Sequence, residues 1–164
     1  MNATTAGATT RLDSAIAREI GRLRARYELS LDELRGLYVS DAQVDALLRQ
    51  ATPGLDLAPL PPTSVPEPGS RMAQLAQALD LGSDALDLVT LALATELDNK
   101  YEALFAYLNN DVTRKWPTPE LALRLWARDA AHRLRLRQCL APEAPLMALG
   151  VLDVVPATRE AARN

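Results

Sequence analysis

The side chains best suited to bind a partner form a basic and aromatic group in the second half of the chain. Arg114, Lys115 and Trp116 are consecutive, and Arg124 and Arg128 follow closely. Arginine and tryptophan often dominate the free energy of protein–protein contacts, and basic groups bind phosphates or acidic protein surfaces. We therefore predict these five residues as partner contacts. Two simpler interpretations stay open: the arginines form a solvated, salt-bridged helix face, and the tryptophans belong to the core.

Groups able to perform covalent or metal-dependent chemistry are few. No glycine is followed by lysine, so a P-loop is absent, and the sequence also lacks a nucleophile elbow, an H-E-x-x-H zinc helix and a dinucleotide-binding glycine fingerprint. The single His132 is predicted to face solvent among arginines, and the single Cys139 to be a small buried hydrophobic residue. One histidine and one cysteine supply neither a ligand cluster nor an internal disulfide. We expect a chain that is not an enzyme and holds no cofactor and no metal.

Two polar groups could suggest acid–base work or a cation site. Glu96 and Asp98 form the first, and the Asn-Asn-Asp sequence of residues 109–111 forms the second. Each lies where a helical pattern breaks, and carboxylates or amides at such boundaries accept hydrogen bonds from unpaired backbone N–H groups. Helix capping is therefore the preferred interpretation of both groups.

The composition favours a mainly α protein. Of the 164 residues, 48% are hydrophobic, which is enough for a core, and only 4% are aromatic, while alanine, leucine and arginine are abundant. The net charge of −3 argues against nucleic acid or an anionic membrane as a partner. No apolar run approaches the roughly 20 residues that span a bilayer. The start of the chain lacks the pattern of a signal peptide, so we expect a cytoplasmic protein.

The pattern of proline and apolar residues divides the chain into five parts. Residues 1–10 are predicted to be a disordered leader, and residues 11–50 a helical N-terminal segment. A Pro-rich linker over residues 51–69 precedes a folded domain over residues 70–156 and a tail over residues 157–164. The first helix carries an apolar seam that is too short for a stable coiled coil, so it is expected to pack on the rest of the chain. The seam consists of Leu12, Ile16, Ile20, Leu23 and Tyr27.

The folded domain shows a succession of helical patterns. Residues 84–95 are apolar on almost every face, which predicts a central, buried helix. Thr118 with Pro119, and later Asp129, mark the starts of two further helices. A β-branched run over residues 151–155 predicts one strand, the minimal β element of an otherwise helical bundle. Between these lies a clean apolar stripe at helical spacing, made of Leu97, Tyr101, Leu104, Phe105 and Leu108.

Five short motifs give the domain a resemblance to a known family. In chain order they are Glu96-Leu97-Asp98, Tyr101-Glu102, Ala106-Tyr107-Leu108, Asp111-Val112-Thr113-Arg114 and Pro117-Thr118. Their order and spacing resemble the winged-helix-like N-terminal domain of a bacterial AAA+ ATPase family. Residues 140–152 are similar to the segment that leads into the wing. Residues 35–48 resemble the helical region that precedes this domain in members linked to contractile, phage-tail-like injection systems.

The resemblance implies a winged-helix fold with a non-catalytic role, the recruitment of a protein partner or substrate to an ATPase ring. It places ATP, Mg²⁺ and oligomerisation in an ATPase part outside these 164 residues, since the sequence contains no Walker motif. A winged-helix DNA binder is the alternative, in which the helix from Thr118 to Ala127 enters the major groove and the basic residues named above contact phosphates and bases. The net negative charge and the apolar residues of that helix argue against this alternative.

Overall fold

The computed structural model describes residues 3–27, 44–45, 60 and 65–155. Within these residues the chain forms seven α-helices and no β-strand, so the prediction of a mainly α protein is confirmed. The helices are α1 (Ala3–Tyr27), α2 (Arg71–Ala78), α3 (Ser83–Leu97), α4 (Lys100–Asn109), α5 (Pro119–Trp126), α6 (Ala130–Cys139) and α7 (Pro145–Ala148). The tail over residues 157–164 and most of the predicted linker lie outside the described residues.

Side-chain caps begin three of the helices, and two of them, at Thr118 and Asp129, lie where the sequence predicts them. Ser70 Oγ accepts from Ala73 N at the start of α2, at 3.1 Å. Thr118 Oγ1 accepts from Leu121 N at the start of α5, also at 3.1 Å, with Pro119 as the first helical residue. Asp129 Oδ1 accepts from His132 N at 2.7 Å at the start of α6. Each cap satisfies one of the N–H groups that a helix leaves unpaired at its beginning.

Helix α3 is the centre of the bundle. Its residues 85–91 are all buried, and it contacts α1, α4, α5 and α6. A helix that is apolar on nearly every face has to be covered on every side, which is what these four neighbours do. The predicted central helix over residues 84–95 is therefore confirmed.

The apolar stripe of α4 is confirmed except at its first member. Tyr101, Leu104, Phe105 and Leu108 are buried at helical spacing. Leu97 is instead the last residue of α3 and is 44% exposed. The chain turns between the two helices because Asp98 is extended, with φ −158° and ψ 125°, and its carboxylate accepts from Lys100 N at 2.9 Å. This contact also confirms the capping interpretation of Asp98.

Helix α1 starts earlier than predicted and belongs to the same core as the later helices. Residues 3–10, predicted as a disordered leader, continue the helix to Ala3, since alanine and threonine here meet no glycine run or proline that would break it. Leu12, Ile16 and Ile20 are buried against α3, α4 and α5. The expected packing of the seam on the rest of the chain is thus confirmed, and the core does not begin at residue 70.

The predicted strand over residues 151–155 is wrong. After α7, Gly150 adopts a positive φ of 67° and the chain continues without any ladder to the described residues. A β-branched run has strand propensity, but a strand forms only where a second strand pairs with it. The minimal β element is therefore not seen in the described part of the chain.

Candidate partner-binding site

A groove opens where α3, α5, the loop over residues 111–118 and the segment over residues 151–155 meet. Its volume is about 650 Å³, which falls within the usual range for sites that take a small ligand or a few side chains. Most of the lining residues are apolar. They are Leu88, Leu91, Ala92, Arg114, Trp116, Pro117, Thr118, Pro119, Ala122, Leu140, Leu152, Asp153, Val154 and Val155.

The loop that carries Arg114 and Trp116 is held in shape by its own polar residues. Helix α4 ends at Asn110 in the left-handed conformation, with φ 52°. Asn109 Nδ2 donates to the carbonyl oxygens of both Arg114 and Trp116, at 3.1 Å each. Asp111 Oδ1 accepts hydrogen bonds from the N–H and the hydroxyl of Thr113, at 2.9 and 2.7 Å, and these two bonds close the first turn of the loop.

These contacts confirm a structural role for the Asn-Asn-Asp sequence of residues 109–111. The hydroxyl and then the N–H of Thr113 lower the pKa of the Asp111 carboxyl, because both stabilise its ionised form. The side-chain hydrogen bonds of Asn109 and Asp111 go to residues of the loop over 111–118. The loop therefore presents its basic and aromatic side chains from a defined backbone.

Two of the five predicted contacts, Arg114 and Trp116, line the groove, and Lys115 lies between them in the same loop. Trp116 is 36% exposed and lines the groove beside Arg114. The Arg114 guanidinium lies 4.0 Å from the carboxylate of Asp111. Lys115 points to the outer side of the loop, where its Nζ lies 3.4 Å from Glu102 Oε2. The groove thus has an aromatic wall and a basic edge.

The other two predicted contacts lie elsewhere and hold helices together. Arg124 Nη2 donates to the carbonyl of Leu108 at 2.6 Å, and its Nε lies 3.7 Å from Glu19 on α1. Arg128 Nε donates to Nδ1 of His132 at 3.3 Å. The structure therefore does not gather the five residues into one basic patch. Trp126 is 1% exposed. For this tryptophan, the simpler interpretation that it belongs to the core is confirmed.

The second wall of the groove is the part of the site that sequence reasoning missed. Leu152 N donates to the carbonyl of Leu146 at 2.9 Å, which fixes the start of this wall. The main-chain N–H and C=O groups of residues 153–155 make no hydrogen bond to the described residues. The apolar residues within 151–155 were the feature of the sequence that could have indicated this wall. They were interpreted as a strand buried in a sheet, and a strand of that kind would not line a groove.

His132 is buried, at 1% exposure, and the prediction that it faces solvent is wrong. Its Nε2 lies 3.1 Å from Asp84 Oδ1, and its Nδ1 accepts from the N–H of Arg128 at 3.4 Å. This arrangement fits the tautomer whose proton lies on Nε2. Asp84 is the first-turn acid of α3, so the ring joins the start of α3 to the start of α6. Cys139 is only half buried, and that burial raises the pKa of its thiol.

Helix α6 presents a second, basic surface. Three residues, 127–129, separate it from α5, the spacing of a helix-turn-helix unit. His132 and Leu136 face the core, whereas Arg135 and Arg137 are exposed and Leu134 is 58% exposed. Arg135 Nε lies 3.5 Å from Asp84. The exposed face of α6 is thus basic around one apolar side chain.

Two further features bear on the kind of site. Among the described residues, no three His, Cys, Asp or Glu side chains are grouped so as to hold a metal ion. In the same part of the chain, each helix is too short or too polar to cross a bilayer. Within the described residues, the groove and the exposed face of α6 are two surfaces that carry side chains suited to contact with a partner.

Helices α5 and α6 and the three residues between them, supported by α3 and α4, are consistent with the helical part of a winged-helix type of protein. The chain matches the family described as winged helix domain, variant, over residues 3–163. It belongs to that family. A comparison with curated proteins found no match, and a comparison with solved structures found none either.

Proposed function

We propose that the chain is a non-catalytic protein-docking domain that recruits a protein partner or substrate to an AAA+ ATPase through the groove at Arg114 and Trp116. ATP and Mg²⁺ are then handled by an ATPase part outside this chain, and the machine serves a contractile injection system. The observation that carries the proposal is the exposed Trp116, held by Asn109 at the side of an apolar groove. A fixed aromatic side chain in a preformed hollow is the usual centre of a protein interface.

The link to an AAA+ ATPase rests on the resemblance of the short motifs. Several of their residues support the helix ends around the groove: Asp98 caps α4, Asp111 closes the loop and Thr118 caps α5. Because these residues hold the loop that carries Trp116, a protein with the same motifs is expected to have the same loop. The resemblance therefore supports both the ATPase context and the use of this loop.

A non-catalytic role is supported by how the polar groups are used. Asp87 is paired with Arg11, Asp13 with Lys100 and Tyr101, and Asp84 with His132. A general acid or base needs a free approach to the substrate proton. These carboxylates and the imidazole instead connect helices in or near the core.

Photo-crosslinking in the source cells tests the docking proposal. A photo-reactive phenylalanine analogue replaces Trp116 in one variant and Leu134 in the matched control, since Leu134 is exposed but does not line the groove. We expect one protein to crosslink through position 116 and not through position 134, and mass spectrometry identifies it. A crosslinked AAA+ ATPase subunit or its substrate supports the proposal. Crosslinking at position 134 alone would refute it.

DNA binding is the second candidate, and the basic face of α6 favours it. The second helix of a helix-turn-helix unit is the one that enters the major groove, which makes α6 the reading helix rather than α5. In α5, five of the eight residues are buried, so few side chains remain for base contacts. Arg133 is already bound to Glu120 by two hydrogen bonds, at 2.8 and 3.0 Å. The net charge of −3 also opposes DNA binding.

Fluorescence anisotropy of a labelled DNA duplex decides between the two candidates. A DNA reader binds with a steep loss of affinity as salt rises, and Arg137→Glu weakens its binding at least tenfold. A docking domain gives no saturable binding at low salt, and neither Arg137→Glu nor the groove variant Arg114→Glu changes that result. Tight binding that Arg137→Glu reduces would replace the docking proposal.

A further inference from the structure

We propose that the groove binds an extended segment of a partner protein, which pairs with the main chain of residues 153–155 and places a large apolar side chain next to Trp116. The inference rests on the proposed function, since it states what kind of partner segment the docking site takes. It combines three observations: a stretch of main chain with no hydrogen bond to the described residues, an apolar hollow beside it and a basic edge at the opposite wall.

The main chain supplies the first part of the argument. Residues 153–155 belong to no helix or strand after the turn at Gly150, and their N–H and C=O groups make no hydrogen bond to the described residues. Asp153 and Val154 are exposed, so a second chain has access to them. Unpaired groups along an extended edge are a template for strand addition, in which main-chain hydrogen bonds supply much of the affinity.

The hollow supplies the second part. Its volume of about 650 Å³ is bounded by Leu88 and Leu91 on α3, Trp116 on the loop and Val154 on the second wall. In an added strand, alternate side chains point to the same side. One side of the bound segment therefore faces the hollow, and an aromatic or large aliphatic residue on that side buries apolar surface against Trp116.

Charge indicates which residues flank the apolar one. Arg114 lines the groove on the loop side, and Asp153 lines it on the second wall. A segment with an acidic residue directed at Arg114 and a basic residue directed at Asp153 is electrostatically complementary to both walls. We therefore expect an alternating segment that is apolar towards the groove and carries opposite charges at its two ends.

The tail of the chain does not have the side chains for this task. Residues 156–164 contain no aromatic residue and no leucine, isoleucine, valine or methionine. A segment of this composition cannot bury a large apolar side chain beside Trp116. We therefore assign the hollow to a segment of a partner protein and not to residues 156–164.

A peptide-display selection on the full chain tests the inference. The probe is a library of heptapeptides in which apolar and polar positions alternate, with Trp116→Ala as the counter-selected chain and Arg137→Glu as a control outside the groove. We expect enriched peptides with a central aromatic or leucine residue and an acid at one end. They should bind the parent chain and Arg137→Glu equally, and Trp116→Ala and Arg114→Glu at least tenfold more weakly.

Synthetic copies of the enriched peptide separate strand addition from side-chain binding alone. N–H groups alternate in direction along a strand, so N-methylation at one set of alternate residues should weaken binding at least tenfold, while methylation at the other set changes it little. On the protein, Val154→Pro and Val155→Pro each remove one N–H and similar apolar surface. Only one of these two variants should lose binding.

Each other result overturns the inference in a recognisable way. Enriched peptides with helical spacing, indifferent to N-methylation, would refute strand addition but leave the docking function in place. If no peptide is selected through Trp116 but a protein does crosslink at position 116, the proposal of an extended partner segment is refuted and the docking function stands. Absence of both would refute the docking function as well. A melting temperature several degrees lower for Trp116→Ala, with no peptide selected, would assign the groove to a segment of the chain itself.

Discussion

The guanidinium of Arg11 on α1 meets the carboxylate of Asp87 on α3 in a buried, two-point contact. Arg11 Nε donates to Asp87 Oδ1 at 3.0 Å, and Nη2 donates to Oδ2 at 2.7 Å. The guanidinium also lies 5.0 Å from the centre of the Trp126 ring. Bidentate geometry is the strongest form of this pair, and it joins two helices that are far apart in sequence.

Removing one partner of this pair should destabilise the fold strongly. Arg11→Met leaves the Asp87 carboxylate buried beside an apolar side chain, and removal of one partner of a buried pair costs about 3–5 kcal/mol. Urea unfolding followed by circular dichroism measures the loss. The double variant Arg11→Met/Asp87→Leu should recover a large part of it, because no charge is then buried. Arg137→Ala serves as the exposed control, and a loss below about 1 kcal/mol for Arg11→Met would contradict the argument.

The stability of the fold should fall in alkaline solution through Tyr101. Its hydroxyl donates to Asp13 Oδ1 at 2.9 Å. Burial, followed by the charge of Asp13, raises the pKa of this phenol far above its ordinary value of 10.0, since both disfavour the phenolate. In the unfolded chain the phenol loses its proton near pH 10, while in the folded chain it keeps it, so the stabilisation present below pH 10 decreases as the pH rises further.

Urea unfolding between pH 8 and pH 11 measures this effect in the parent chain and in Tyr101→Phe. The variant should be about 1 kcal/mol less stable at neutral pH, because Asp13 loses a buried donor, and its stability should depend less steeply on alkaline pH. The substitution removes no atom of the contact between Lys100 Nζ and Asp13, which is 2.9 Å long in the parent chain. Identical alkaline slopes would show that Tyr101 does not govern this loss.

The two tryptophans should respond in opposite ways to truncation. Trp126→Ala removes a side chain of the core and should cost about 3–5 kcal/mol. Trp116→Ala removes a side chain at the groove and should cost less than about 1 kcal/mol while abolishing partner binding. Thermal unfolding and crosslinking or peptide binding, measured on the same two preparations, provide the comparison. A large loss of stability in Trp116→Ala would make this residue part of the fold rather than of the binding site.

The cap of α6 should lose its effect in acid. Asp129 accepts from His132 N at 2.7 Å, and this hydrogen bond lowers the pKa of its carboxyl below the ordinary 3.8. The cap therefore stabilises the fold fully above pH 3.8 and weakens as the pH falls through the lowered value. Asp129→Ala should be less stable than the parent at pH 7, and the difference should shrink below pH 4. Asp129→Asn, which keeps an accepting oxygen, should lie between them at neutral pH.

Features decided by neighbouring residues could be predicted from the sequence. Ser70, Thr118 and Asp129 cap helices because a short polar side chain reaches the N–H three residues later, a relationship contained within one turn. The burial of α3 followed from its own composition. In both cases the information lies inside a single element.

Features decided by distant residues could not be predicted. His132 lies among arginines in the sequence, but in the fold it is buried and its ring pairs with Asp84 at the start of α3. Arg124 was grouped with Arg114 by composition, yet Leu108 and Glu19 hold it on the other side of α5. The groove itself exists only because residues 151–155 return alongside α3 and the Trp116 loop.

The position of α1 in the core has a consequence for how the protein is made. Arg11 and Asp87 are 76 residues apart, so α1 leaves the ribosome well before the helix that covers its apolar seam. At about 5–20 residues per second, the delay is on the order of 4–15 s. Closing so long a loop costs little extra free energy, but contacts of this range slow folding. Until synthesis passes α3, the seam of α1 is a surface that chaperones, or the α1 seams of neighbouring nascent chains, will recognise first.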